Sequence, residues 1–179
     1  MSGSGIDVRV LEDTELADPL ADLINHVYAD AERGLWREGA KRTTVAELAD
    51  EIRAGEIVVA TRNGDLLGCV RVHDVADDTS EFGILVSAPD QRNTGVGRAL
   101  LDYIEHRAHE RGLRAMQLEL LVPREWAHPM KEFLKGWYGR RGYALIALRD
   151  FGQAYPHLAP LLATPCDLQV REKPLVIDP

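Results

Sequence analysis

The stretch from residue 80 to residue 101 restricts the fold of this chain more than any other. It begins with Phe82-Gly83-Ile84-Leu85-Val86, a short apolar run that reads as a buried strand. It leads into a run with Val96, Leu100, Leu101, Ile104 and Ala108, whose spacing lays one apolar stripe along a helix. Between them stands Ser87-Ala88-Pro89-Asp90-Gln91-Arg92-Asn93-Thr94-Gly95-Val96-Gly97-Arg98. The chain must pass from a strand through a tight turn into a helix, with glycines where the helix opens. The first N–H groups of a helix lack partners and carry a partial positive charge. Glycine lets a ligand come close to them. Such a turn is a site for phosphate.

Two familiar phosphate sites are excluded. No Gly-Lys-Ser or Gly-Lys-Thr occurs in the chain, so the turn is not a P-loop. A dinucleotide fingerprint needs a third glycine where Leu100 stands. The pattern present is Arg92-x-x-Gly95-x-Gly97. It resembles the Gln/Arg-x-x-Gly-x-Gly/Ala motif of the GNAT superfamily of N-acetyltransferases.

The rest of the chain gives the element order. Residues 7–11 alternate as a first strand. Asp13 or Thr14 caps a helix running to about Glu32, with Leu16, Leu20, Leu23, Ile24 and Val27 as its apolar stripe. A glycine-bounded loop at 33–39 carries Trp36, and Thr44 caps a second helix that Gly55 closes. Residues 56–62 and 66–75 are strands joined by Asn63-Gly64-Asp65, a strong hairpin signal. With the strand at 80–86 they form an antiparallel meander. After the glycine turn and its helix come a strand at 116–122, a helix at 130–141, a strand at 143–148 and a closing strand at 167–173. The extended connection 149–166 joins the last two strands and holds Leu158, Leu161 and Leu162 in a helical turn.

The order β-α-α-β-β-β-α-β-α-β-β predicts an α/β fold. About seven strands form one mixed sheet, an antiparallel meander followed by β-α-β units, with helices on both faces. That order is also the GNAT order, and the resemblance spans nearly the whole chain. At 179 residues the expectation is a single domain over 1–179, with 1–6 as a disordered or tag-like tail and no signal peptide.

The resemblance implies acetyl-CoA as co-substrate. Its pantetheine arm would pair with the backbone of Leu85, Val86 and Ser87. Its diphosphate would rest on Arg92, Asn93, Thr94, Gly95, Val96, Gly97 and Arg98. Transfer to an amine needs a base, because an alkyl ammonium is protonated at neutral pH. Glu81, at the start of the central strand, is the expected base, with Glu119 as second choice. Period two places Glu81 on one face with Gly83 and Leu85. A backbone N–H near Leu85 would hold the oxyanion. Tyr138-Gly139-Arg140-Arg141-Gly142-Tyr143 resembles the Tyr-x-x-x-Gly-Phe signature of the superfamily, which makes Tyr138 the general acid for the leaving sulfur. Lys131 stands where the superfamily often has an asparagine facing the cofactor, a departure.

For the acceptor, Trp36 and Trp126 would form an aromatic wall, and Arg37 or Arg42 would bind a carboxylate if the acceptor has one. The reading is direct transfer, in a ternary complex, to a primary amine of a small molecule. The competing readings are a protein or peptide acceptor, a non-catalytic acyl-CoA sensor of the same fold, and a nucleotide-binding enzyme unrelated to CoA.

Composition narrows the setting. The formal net charge of −8 speaks against a nucleic-acid partner and favours a cationic substrate. No apolar run reaches the length of a membrane span. Cys69 and Cys166 have neither disulfide nor metal spacing, which points to a reducing cytoplasm. His106 and His109 share a helix face without a third ligand, so no metal is expected. A homodimer, if one forms, would pair through an exposed strand.

Overall fold

Residues 5–175 are described by the computed structural model. In chain order the elements are β1 (Asp7–Val10), α1 (Ala17–Ala31), α2 (Val45–Arg53), β2 (Ile57–Arg62), β3 (Asp65–Ala76), β4 (Thr79–Ser87), α3 (Val96–Glu110), β5 (Ala115–Pro123), α4 (Pro129–Arg140), β6 (Ala144–Asp150), α5 (Phe151–Ala154) and β7 (Cys166–Pro174). They build one seven-stranded sheet in the order β1-β2-β3-β4-β5-β7-β6. The expected mixed sheet with helices on both faces is what forms. The last strand lies beside β6 as expected, and it also inserts between β6 and β5, antiparallel to both.

Local rules explain most of these elements. Asp13 caps a 3₁₀ turn at Thr14–Leu16, and α1 starts only after it. Pro19 accounts for the delay. A helix starting at Thr14 would need the Pro19 N–H that does not exist, whereas from Ala17 the proline falls among donors left free anyway. Thr44 and Glu47 form a reciprocal capping box at α2, with Thr44 N donating to Glu47 Oε2 at 2.9 Å. Asn63 and Gly64 take φ of 53° and 88°, the two positive values that a two-residue hairpin turn requires.

The run Ile57–Ala60 is buried on both sides of the sheet. Val58 and Ala60 join the core under α3 and α4, and Ile57 and Val59 join the core under α1 and α2. A third, smaller core gathers Leu35, Leu121, Phe151, Cys166 and Leu168 beneath the connection that follows β6. That connection holds α5 and a 3₁₀ turn at Ala159–Leu161. Of the expected tail, residues 1–4 lie outside the described residues, and Ile6 packs against the main core.

Two departures from regularity in the centre of the sheet place the site. The parallel ladder between β4 and β5 runs only from Thr79↔Ala115 to Phe82↔Leu118. Beyond it the strands part, β4 staying with β3 and β5 with β7. Past the same point β4 carries a bulge. Arg71 pairs with Gly83 and Cys69 with Val86, so Val70 alone faces both Ile84 and Leu85. Ile84 sits at φ 51°, an outlier for a β-branched residue that the surrounding packing must hold in place.

Candidate active site

The opening between β4 and β5 widens into a cleft of about 910 Å³. One wall comes from the turn before α3. Gly95, at φ 91°, occupies the N-cap and offers no side-chain hydrogen bond to the helix. Its α-carbon faces open space. The first N–H groups of α3 therefore point outward without a capping side chain. All of residues 92–98, with Leu85 and Ser87, line this cleft. Arg92 reaches Asp30 of α1 at 3.3 Å. Val86 faces away, buried beneath α1 and α2, so only its backbone is available to a ligand.

The bulge changes the expected geometry of β4. Phe82 and Leu85 face the α3 and α4 side, whereas Ile84 and Val86 face α1 and α2. Strict alternation would have put Phe82 and Ile84 on one side. Glu81 and Gly83 share a face, but Leu85 is on the opposite one, and the expectation that all three align is corrected. The extra residue has turned the backbone between them.

Glu81 lies at the paired end of the cleft, one residue before the point where the strands part, and is not among the lining residues. It accepts a hydrogen bond from Gln117 Nε2 at 2.6 Å, its neighbour in the parallel register. Burial raises its carboxyl above the ordinary carboxylate range, and the Gln117 bond pulls the other way. Glu119, the second choice, does line the cleft. It is already engaged, accepting from the Tyr155 hydroxyl at 2.6 Å and lying 3.5 Å from Arg149.

Tyr138 lines the opposite wall, with its ring fixed between Phe82, Trp137 and Tyr143. Burial holds its hydroxyl protonated far above neutral pH. Tyr28 of α1 also lines the cleft, and burial pushes its hydroxyl up to about 12. Sequence reasoning passed over Tyr28, although its place one turn after Ile24 put it on the buried side of α1.

The expected acceptor residues lie elsewhere. Trp36 packs edge-on against Phe151 and bridges to Leu162. Trp126 rests on Gly34 and donates to Thr164 Oγ1 at 3.1 Å. Arg37 is exposed and bonds the Leu162 carbonyl. None of the three lines the cleft, so they form no wall in it. Arg42 does line it.

Lys131, the departure noted in the sequence, also lines the cleft, 4% exposed and 2.6 Å from Glu32, itself 7% exposed. Glu32 accepts a second bond from Trp36 Nε1. His128 caps α4 through Nδ1 and meets the Arg33 carbonyl through Nε2 at 3.0 Å. The end of α1 and the start of α4 are thus tied together across one side of the cleft. Among the described residues no group of His, Cys, Asp and Glu is placed to hold a metal, and no helix is long and apolar enough to cross a membrane.

Comparison with known proteins adds three findings. The profile of the acetyltransferase (GNAT) family matches residues 21–133. An amino-acid acetyltransferase of Azotobacter vinelandii is 30% identical over 94 residues, 52% of this chain and 19% of that protein; the match thus spans less than a fifth of that relative. The fold is shared with an aminoglycoside 6′-N-acetyltransferase crystallised with coenzyme A (TM-score 0.72, 16% identity, 98% of this chain and 99% of that one). It is shared as well with the PaiA N-acetyltransferase of Thermoplasma acidophilum in complex with coenzyme A (TM-score 0.71, 18% identity, 95% and 99%).

Proposed function

The chain belongs to the acetyltransferase (GNAT) family, and from that premise we propose that it moves the acetyl group of acetyl-CoA directly onto a primary amine of a small molecule. The observation that carries this reading is the parting of β4 from β5 after Phe82 and Leu118, beside a helix start whose N–H groups have no capping side chain. An amide-rich arm ending in a diphosphate fits that pair of features. The Leu85–Ser87 backbone meets the arm, and the α3 N-terminus with Arg92 and Arg98 meets the phosphates.

Acetyl-CoA supplies a thioester, and the residues of this chain supply the rest. Glu81, through a water, takes the proton that the attacking ammonium must lose. Its lack of a cationic partner suits it to the task better than Glu119, which Arg149 and Tyr155 hold. A backbone N–H at the Ile84–Leu85 bulge meets the negative charge that develops on the carbonyl oxygen as the new C–N bond forms. The Tyr138 hydroxyl, kept protonated by burial, acts as general acid and gives its proton to the departing sulfur as the C–S bond breaks. It is refilled by the second proton that the attacking nitrogen loses, so coenzyme A leaves as the thiol and the amide is neutral.

Both cysteines are free, in keeping with a cytoplasmic setting. Pairing of two copies through β6 completes the reading. That edge strand exposes Leu145, Ile146 and Leu148 beside an unpaired backbone edge.

The test is thiol release from acetyl-CoA across a panel of amines. Glu81→Gln is expected to lower kcat by on the order of 10²–10³ with KM for acetyl-CoA unchanged. Tyr138→Phe is expected to lower kcat by on the order of 10². Acetyl-CoA binding with no release to any amine would instead mark an acyl-CoA sensor.

A further inference from the structure

Arg42 has no role in the chemistry above, and its surroundings are unusual for a surface arginine. Its main chain is clamped. Asn25 Oδ1 of α1 accepts from Arg42 N at 2.8 Å and from Thr43 N at 3.1 Å, and Asn25 Nδ2 donates to the Thr43 carbonyl at 3.0 Å. The loop is therefore held on a rigid helix and carries Arg42 at a fixed place. The guanidinium lies over the Tyr28 ring, 5.3 Å from its centroid. One of its nitrogens is 4.0 Å from where a side chain on Gly83 would begin. Gly83 has none, so the guanidinium approaches the β4 backbone closely there.

The charges on this side divide into satisfied and unsatisfied. Arg92 pairs with Asp30, Lys131 with Glu32, and Arg149 with Glu119. Among the described residues no carboxylate stands within ion-pair distance of Arg42. Glu81 hydrogen-bonds only the neutral amide of Gln117, with His73 opposite it in the β3 register. Arg42 and Glu81 are thus both left without an ion pair among the described residues, on the same face of β4 and associated with Gly83 and Glu81. Those two positions are about 7 Å apart along a strand.

We infer that the acceptor is a free amino acid, its carboxylate held by Arg42 above Gly83 and its amine directed toward Glu81. The inference rests on the acetyl-transfer reading and names the substrate class of that same site. A zwitterion supplies both missing charges, and a guanidinium fork matches a carboxylate in two hydrogen bonds. A polyamine would set a second cation against Arg42. The N-terminus of a peptide has no carboxylate beside its amine. The overall charge of −8 favours cations at long range, but this local pair of opposite charges decides what can settle in the cleft.

The experiment compares thiol release by the full chain with common L-amino acids and with their α-carboxamides, which keep the amine and lose the charge. The wild type is expected to favour the acids by roughly 10- to 100-fold in kcat/KM. Arg42→Gln is expected to abolish that preference by raising KM for the acids. It should cost the carboxamides far less than the acids and leave KM for acetyl-CoA unchanged. Equal use of acids and carboxamides by the wild type, or an equal loss on both in Arg42→Gln, overturns the amino-acid assignment and leaves acetyl transfer standing. Binding or release absent with every compound overturns the acetyl-transfer reading, and the assignment with it.

Discussion

A carboxyl that serves as a base must be ionised when substrate arrives, and Glu81 is set against its own ionisation. Burial raises its pKa, and the Gln117 amide only partly offsets this. The ionised form is the active one, so kcat/KM is expected to fall as pH drops through a value above the ordinary carboxylate range. That acid limb should vanish in Glu81→Gln. The same raised pKa means that the folded state prefers the protonated carboxyl, so above that value the ionised group costs stability. Glu81→Gln is therefore expected to lose activity while its thermal midpoint at neutral pH stays level or rises. A fall in that midpoint would mean that the carboxylate holds the fold together and is no poised base. What could be read in advance at this scale follows a simple division. Gly95 and Gly97 obey a local rule about helix starts, so the glycine turn into α3 was legible. Gln117 joins Glu81 only through a parallel register across two strands, which no local pattern encodes. Ile84 reads as an ordinary strand residue, and nothing in its neighbours announces a positive φ.

Among the elements, α4 carries the largest surprise. Its expected span was nearly right, but its anchoring was not foreseen. Lys131 and Glu32 form a buried ion pair between α4 and the end of α1, and Trp36, expected in the acceptor wall, is a hydrogen-bond donor to that pair. A buried pair is weak support for stability as a unit, but breaking it strands a charge in the interior. Lys131→Met alone is expected to cost about 3–5 kcal/mol in urea unfolding. Lys131→Met with Glu32→Leu should recover most of that loss, leaving the Trp36 N–H as the residual defect. If the single variant costs under about 1 kcal/mol, the pair is not isolated from water as its burial states. The sequence marked Lys131 as out of pattern yet could not supply its partner, because Glu32 ends a helix that covers the other face of the sheet and is far away in the chain. The same reason explains why Trp36 and Trp126 were misplaced. Large aromatic residues in loops fit a binding wall and a small third core equally well until the packing is known.

Across the whole molecule, the element order was legible because each strand and helix carried its own period and its own stop signals. The split in the sheet was legible only through resemblance, since a strand that stops pairing with one neighbour looks the same in sequence as one that does not. In the acetyl-CoA reading, that split is where an acidic chain takes up an anion. Arg92 and Arg98 stand at the cleft, and Arg98 also borders a second cavity of about 530 Å³ with Arg140 and Arg141. Isothermal titration of acetyl-CoA into the wild type and into Gly95→Val tests the account most directly. One molecule is expected to bind per wild-type chain, more weakly as salt rises. Gly95→Val, which forces a β-branched residue into φ 91° at the helix start, is expected to bind at least about tenfold more weakly, the equivalent of one lost charge-assisted hydrogen bond. A wild type that gives no heat, or a valine variant that binds as tightly as the wild type, would contradict it.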